Sequence, residues 1–244
     1  MFRHQGKSRT FKHNLRIATV LSFVAGIVNV TGFLAIQQLT TNVTGHFALF
    51  IFDFERFEFW KGAIYFLFIF SFLFGSFTSS FLIERYRETR RLNVFVIPTI
   101  LEAAILVGVT LFYNITGVSY PGVIACSLLF AMGLQNSFVT KISNAVVRTT
   151  HLTGLFTDLG IELSQLFFRK SHPNIDKIKS NIKLRVFIIS FFFFGGMTAG
   201  FFYSRVGWGA NTLIMAAVIL LGSLFYDDFK FRIIRMRRKH IQGR

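Results

Sequence analysis

The chain has 244 residues, 52% hydrophobic and 17% aromatic, with 34 Phe and only 16% charged. A water-soluble globule of this size cannot hide so much apolar surface, which excludes a soluble enzyme, and the same arithmetic excludes intrinsic disorder. Three Pro and one Cys exclude collagen-like and disulfide-framework chains. A multi-pass membrane protein remains, and the net charge of +16 has to be read by position.

About 20 apolar residues cross the hydrocarbon core as a helix. The pattern predicts six spans: Ile17–Leu39, Trp60–Ile83, Val94–Tyr113, Gly122–Val139, Leu184–Tyr203 and Trp208–Tyr226. All are expected to be helices, because a helix satisfies its own backbone within lipid. Two further apolar stretches, Thr44–Phe54 and Leu152–Phe168, follow the first and fourth spans. The first is too short to cross comfortably.

Basic residues cluster in the N-terminal tail (Arg3 to Arg16), after the second span (Arg85 to Arg91), before the fifth (Arg169 to Arg185) and in the C-terminal tail (Lys230 to Arg244). Lys141 and Arg148 lie near the second polar motif, and Arg56, Lys61 and Arg205 fall on the opposite side. Six spans with both termini inside place every basic block in the cytoplasm, as the positive-inside rule requires. If both short stretches spanned as well, the Arg85–Arg91 block would face outside. They are therefore read as re-entrant or interfacial helices. Trp60, Tyr113, Tyr120, Tyr203 and Trp208 mark the outer boundary as an aromatic belt. The first span is too long for a cleaved signal peptide and lacks its cleavage site. Cys126, alone within a span, reads as a small packing residue.

The chain also resembles itself. Phe72–Arg85 matches Phe192–Arg205 without a gap at Phe72/Phe192, Phe74/Phe194, Gly75/Gly195, Thr78/Thr198, Phe81/Phe201 and Arg85/Arg205. Upstream, Gly26-Ile-Val-Asn29 matches Gly133-Leu-Gln-Asn136, and Val43-Thr44-Gly45 matches Leu152-Thr153-Gly154. The order is the same in both halves, 15–113 and 122–226, with the basic tail 227–244 beyond them. Each half has three spans, and an odd number places the halves in opposite orientations. The expected fold is all-α, six transmembrane helices as a 3+3 inverted repeat with two short helices, a plan that puts ligand sites near mid-membrane.

The candidate site follows from the paired polar residues. Asn29 and Asn136 sit deep in spans, where an amide must be bonded, so both face the interior as helix–helix glue or as site-lining groups. Thr44-Gly45 and Thr153-Gly154 open the short helices, as ordinary caps or as helix starts whose positive dipole end suits an anion. Asp53 and Glu162 are repeat-equivalent, Asp158 and Glu162 share a helical face, and His46 and His151 flank the Thr-Gly pairs. Both Asp53 and Glu162 are expected at the interface in water. Glu102, within the third span, needs an internal partner if buried. No catalytic, nucleotide or metal motif is present, so neither a cofactor nor an enzymatic role is expected.

The pattern AGIVNVTGFLAI…NVTGHFALF, then AMGLQNSFV…RTTHLTGLFTDLG, resembles the YoaK-like family of small bacterial membrane proteins, a domain of unknown function. The resemblance spans about residues 14–228 and implies a six-span bacterial inner membrane protein. Relatives typically carry Asp where this chain has Asn29, and Asn where it has His46; losing that Asp removes a proton-carrying carboxylate. The favoured function is a small permease or channel for a polar or anionic solute. A scaffold or regulatory protein, or an enzyme on lipid-linked substrate, are the alternatives. Expected partners are the bilayer, with anionic lipid under the basic tails, the solute and a second copy of the chain. Nucleic acid is not expected.

Overall fold

A computed structural model describes residues 10–86, 94–168 and 173–226. The first basic residues up to Arg9, most of the Arg85–Arg91 block, Arg169–Lys170 and the 227–244 tail lie outside the described residues. Among those described there is helix and no strand. Eight helices follow in order: α1 (Phe11–Ile36), α2 (Val43–Glu55), α3 (Phe59–Arg85), α4 (Val96–Thr116), α5 (Pro121–Ser143), α6 (Leu152–Gln165), α7 (Ile175–Gly200) and α8 (Gly209–Tyr226). A π-helical turn, Phe201–Arg205, extends α7, and a 3-10 turn opens α8.

Six of these helices, α1, α3, α4, α5, α7 with its extension, and α8, are long and apolar enough to cross a membrane. The spans expected from hydropathy are all recovered, but α1 and α7 start well before their apolar runs, α1 at Phe11 rather than Ile17. The fifth begins about two turns earlier than its apolar run, because Ile175–Lys183 is polar but still helical. At 13 and 14 residues, α2 and α6 reach only about 20 Å, short of about 30 Å of hydrocarbon.

The helix directions follow from cross-contacts. Ser76 on α3 donates to the Gly133 carbonyl of α5, and Lys141 on α5 meets Glu84 on α3; both pairs are 57 residues apart, so α3 and α5 run parallel. Gln135 donates to the Leu21 carbonyl while Gly32 lies against Leu128, so α1 and α5 run antiparallel. Asn114 near the end of α4 bonds Asn211 at the start of α8.

The closest packing lies in two crossings, α1 on α7 and α3 on α5. A Cβ on Gly26 would overlap the Phe192 carbonyl oxygen, and one on Gly195 would overlap that of Phe23. In the other crossing, Gly75 meets the Phe130 carbonyl and Gly133 the Phe72 carbonyl in the same way. Small residues let membrane helices approach backbone to backbone, where dispersion does the work that the hydrophobic effect does in water. Ser76 adds its hydroxyl to the Gly133 carbonyl at 3.1 Å.

Burial sorts the helices into layers. In α1 and α5, 61% of the spanning window is buried; in α3 and α7 it is 22% and 17%; in α4 and α8 it is 39% each. Thus α1 and α5 form the centre, while α3 and α7 turn Phe66, Phe70, Phe74, Phe77, Phe193 and Phe194 outward. In water such a surface would aggregate; here it is the lipid-facing belt.

Basic side chains gather at one end of this bundle. Lys12 and Arg16 start α1, Arg85 ends α3, Lys141 is near the end of α5, and Lys177, Lys179 and Lys183 begin α7. Trp60, Tyr120 and Trp208 are exposed at the opposite end, as the sequence pattern expects.

Candidate solute site

Each central helix ends in a left-handed residue, Gln37 after α1 and Asn144 after α5. The chain then turns back through a threonine pair. Thr41 donates to the Asn29 side-chain oxygen at 2.8 Å, and Thr150 donates to that of Asn136 at 2.9 Å. Both amides are half-buried and bonded, and the Asn136 amide nitrogen also donates to the Met132 carbonyl. The neighbouring Thr40 donates to the Val28 carbonyl, and Gln135 donates to Thr149 at 3.0 Å; both threonines are fully buried. These four threonines belong to a longer match, Thr40-Thr-Asn-Val-Thr-Gly45 against Thr149-Thr-His-Leu-Thr-Gly154. The expected motif was its second half; the structurally engaged hydroxyls belong to its first.

The Thr44 and Thr153 side chains are not caps. The residue before α2 is Asn42, whose side-chain oxygen accepts from the Gly45 amide at 3.0 Å. The residue before α6 is His151, and no side chain caps that helix. Thr44 and Thr153 are the second residues of their helices and are exposed. A Cβ on Gly45 or Gly154 would displace the exposed Asn42 side chain or the His151 ring respectively.

The ionisable candidates divide between the two ends. His46 is buried, its Nε2 at 2.8 Å from the Leu39 carbonyl and its ring against Tyr65 and Phe68. Burial pushes its pKa down, against the upward pull of that carbonyl. Asp53, half-buried, lines a cavity of about 220 Å³ with Gln38, Lys61, Tyr65 and Phe68. Lys61 is held by Glu58 at 2.6 Å.

At the basic end, a larger cavity of about 350 Å³ lies between the α5–α6 link, α6 and α7. The α6 carboxylates one turn apart do share a face, and both hold Arg185. Its Nε and Nη2 donate to Glu162 at 2.7 and 3.1 Å, and its Nη1 to Asp158 at 2.8 Å. Asn181 also donates to Glu162. Glu162 is thus 7% exposed. The water-exposed placement expected for it is replaced by a partly buried ion pair, with Arg185 at the edge of the expected fifth span and Asn181 in the polar start of α7 that this span left out. Neither cavity is lined by Asn29 or Asn136.

Glu102 in α4 is fully buried, and neither carboxylate oxygen has a hydrogen-bond partner. The internal partner expected for it is not among the described residues. Nor do those residues include a group of three His, Cys, Asp or Glu side chains able to hold a metal.

Six membrane-length helices and an apolar exterior define a multi-pass integral membrane protein. The chain belongs to the DUF1275 family, described as a protein of unknown function, whose pattern matches residues 17–226. No curated protein and no solved structure matches it.

Proposed function

We propose that the protein is a small permease for a polar or anionic solute, built as an inverted repeat of α1–α4 and α5–α8 and set in a bacterial inner membrane with its basic end in the cytoplasm. The resemblance to the YoaK-like proteins supports that setting, and the positive-inside rule supports the orientation.

Four likenesses support the repeat. Burial falls in the same order through each half. The two glycine–carbonyl crossings exchange equivalent residues, Gly26 with Gly133 and Gly75 with Gly195. Thr41–Asn29 and Thr150–Asn136 are equivalent bonds. A further match joins α4 to α8: Thr99, Ala103, Ala104, Leu111, Phe112 and Tyr113 against Thr212, Ala216, Ala217, Leu224, Phe225 and Tyr226.

The observation that carries the transport reading is the pair of cavities. Gln38, Lys61, Ile64 and Tyr65 line one, and their equivalents Ala145, Asn181, Leu184 and Arg185 line the other. The cavities lie at opposite ends of the bundle, because one meets the start of α5 and the other the link after its end. A vestibule at each face, related by the repeat, is the geometry alternating access needs. The bonds from Thr41 and Thr150 tie each link to a central helix, where a change of access would have to pass.

Uptake of radiolabelled anions and neutral polar solutes into proteoliposomes tests this. Thr44→Val and Thr153→Val delete exposed hydroxyls that have no protein hydrogen bond among the described residues. They are expected to slow uptake at unchanged folded yield. Thr41→Val and Thr150→Val are expected to cost about 0.6–2 kcal/mol of stability each as well. No saturable uptake of any solute, or loss of activity that tracks loss of folded protein for Thr44 and Thr153, would refute the reading.

A further inference from the structure

The two vestibules are alike in place but not in charge. The smaller is lined by one Asp and one Lys, the latter already paired with Glu58. The larger gathers Arg148, His151, Lys177 and Arg185 from the α5–α6 link and α7. Asp158 and Glu162 are both spent on Arg185. Among the described residues Arg148 and Lys177 have no acidic partner, so within that set two cations face the cavity without a counter-charge. Arg185 uses three of its N–H groups on the carboxylates, leaving two of the five a guanidinium carries. Its position is fixed by that fork, and Asn181 by Glu162. The donors are therefore preorganised, which lowers the cost of binding. The uncapped start of α6 at Gly154 lines the same wall and adds positive potential.

We propose that this cavity binds a phosphoryl group, as the anionic end of a small soluble phosphate ester. Two cations, Arg148 and Lys177, match a dianion. Donors from several directions match a tetrahedral group with three free oxygens better than a planar carboxylate with two. The volume, about 350 Å³, is at the small end of ligand pockets and leaves room for a short carbon skeleton. This names the substrate class of the permease and rests on that reading; binding and uptake are measured apart so that either can fail alone.

The experiment uses the full chain in phosphatidylcholine nanodiscs. Inorganic phosphate and glycerol 3-phosphate are titrated at constant ionic strength against chloride. Saturable binding is expected for both probes. Arg148→Gln with Lys177→Gln is expected to weaken it at least tenfold, with an unchanged thermal midpoint. Lys179→Gln, exposed on α7 but outside both cavities, is expected to leave it unchanged. No saturable binding, or equal affinity in the double variant, overturns the proposal. If a few mole per cent of phosphatidate in the disc abolishes phosphate binding, the occupant is a lipid headgroup and the soluble-ester assignment falls. Uptake of some other solute without phosphate binding leaves the permease standing and removes this site. Phosphate binding without any uptake does the reverse.

Discussion

The glycine crossings give the sharpest quantitative expectation. In a helix exposed to lipid or water, Gly→Ala stabilises by about 0.5–1 kcal/mol, because it reduces the freedom of the unfolded chain. Gly108, Gly200 and Gly222 have nothing within 4 Å of an added Cβ, so alanine there should gain about that much. Gly26, Gly75, Gly133 and Gly195 differ, since the added methyl would overlap a backbone carbonyl of the crossing helix. A carbonyl within a helix cannot swing aside as a side-chain tip can. The two helices must separate, and overpacking of this kind costs about 1–3 kcal/mol. The difference between the two sets should therefore be about 1.5–4 kcal/mol after the propensity gain is included. Denaturation in mixed micelles, followed by tryptophan fluorescence from Trp60 and Trp208, would measure it. Gly26→Ala combined with Gly195→Ala should cost less than the sum of the singles, because either alone already parts α1 from α7. Gly26→Ala and Gly75→Ala should add, as they act on separate crossings. If alanine at the four crossing positions were as well tolerated as at Gly108, the backbone contacts would not hold the bundle together.

Two further outcomes can be checked directly. Glu102→Met places in α4 the residue that α8 carries at the matching position, Met215. It removes two buried oxygens without partners, so thermal stability should rise by about 1–3 kcal/mol; a fall would mean that the carboxyl is bonded in the folded protein. In a Cys126-free background, a cysteine at Lys177 should react with an impermeant maleimide only in inverted vesicles, and one at Lys61 only in intact cells; the opposite pattern overturns the orientation.

The spans could be read from hydropathy because each apolar run is long enough to admit one interpretation, and the basic end because topology itself selects Lys and Arg positions. The start of α7 was not legible: Ile175–Lys183 is polar, and its packing on α6, where Asn181 donates to Glu162, leaves no mark in hydropathy. Cap assignment failed for a local reason. Thr44 and Thr153 resemble caps, yet helical geometry begins at Val43 and Leu152, which moves the cap to Asn42 and His151. The threonines that hold the amides, Thr41 and Thr150, were within reach. Extending the Val-Thr-Gly match backwards by three residues would have exposed them. Which helices cross could not be read, although all four glycines belong to the repeated motifs. A glycine in a span permits close approach without naming the partner.

The crossings have a consequence for how the chain is made. The closest contact of α1 is not with the helices that follow it but with α7, whose Phe192 and Gly195 emerge from the ribosome well over a hundred residues later. Until then the Gly26 face of α1 has lipid or a provisional neighbour against it, while α3 and α5 can lock together much sooner. Insertion and assembly are therefore separated in time, and a polypeptide truncated before α7 would be threaded through the membrane with its central helix unclasped. For the same reason neither half is a self-contained unit: each supplies the clasp that closes the other, as two interlocked hands do.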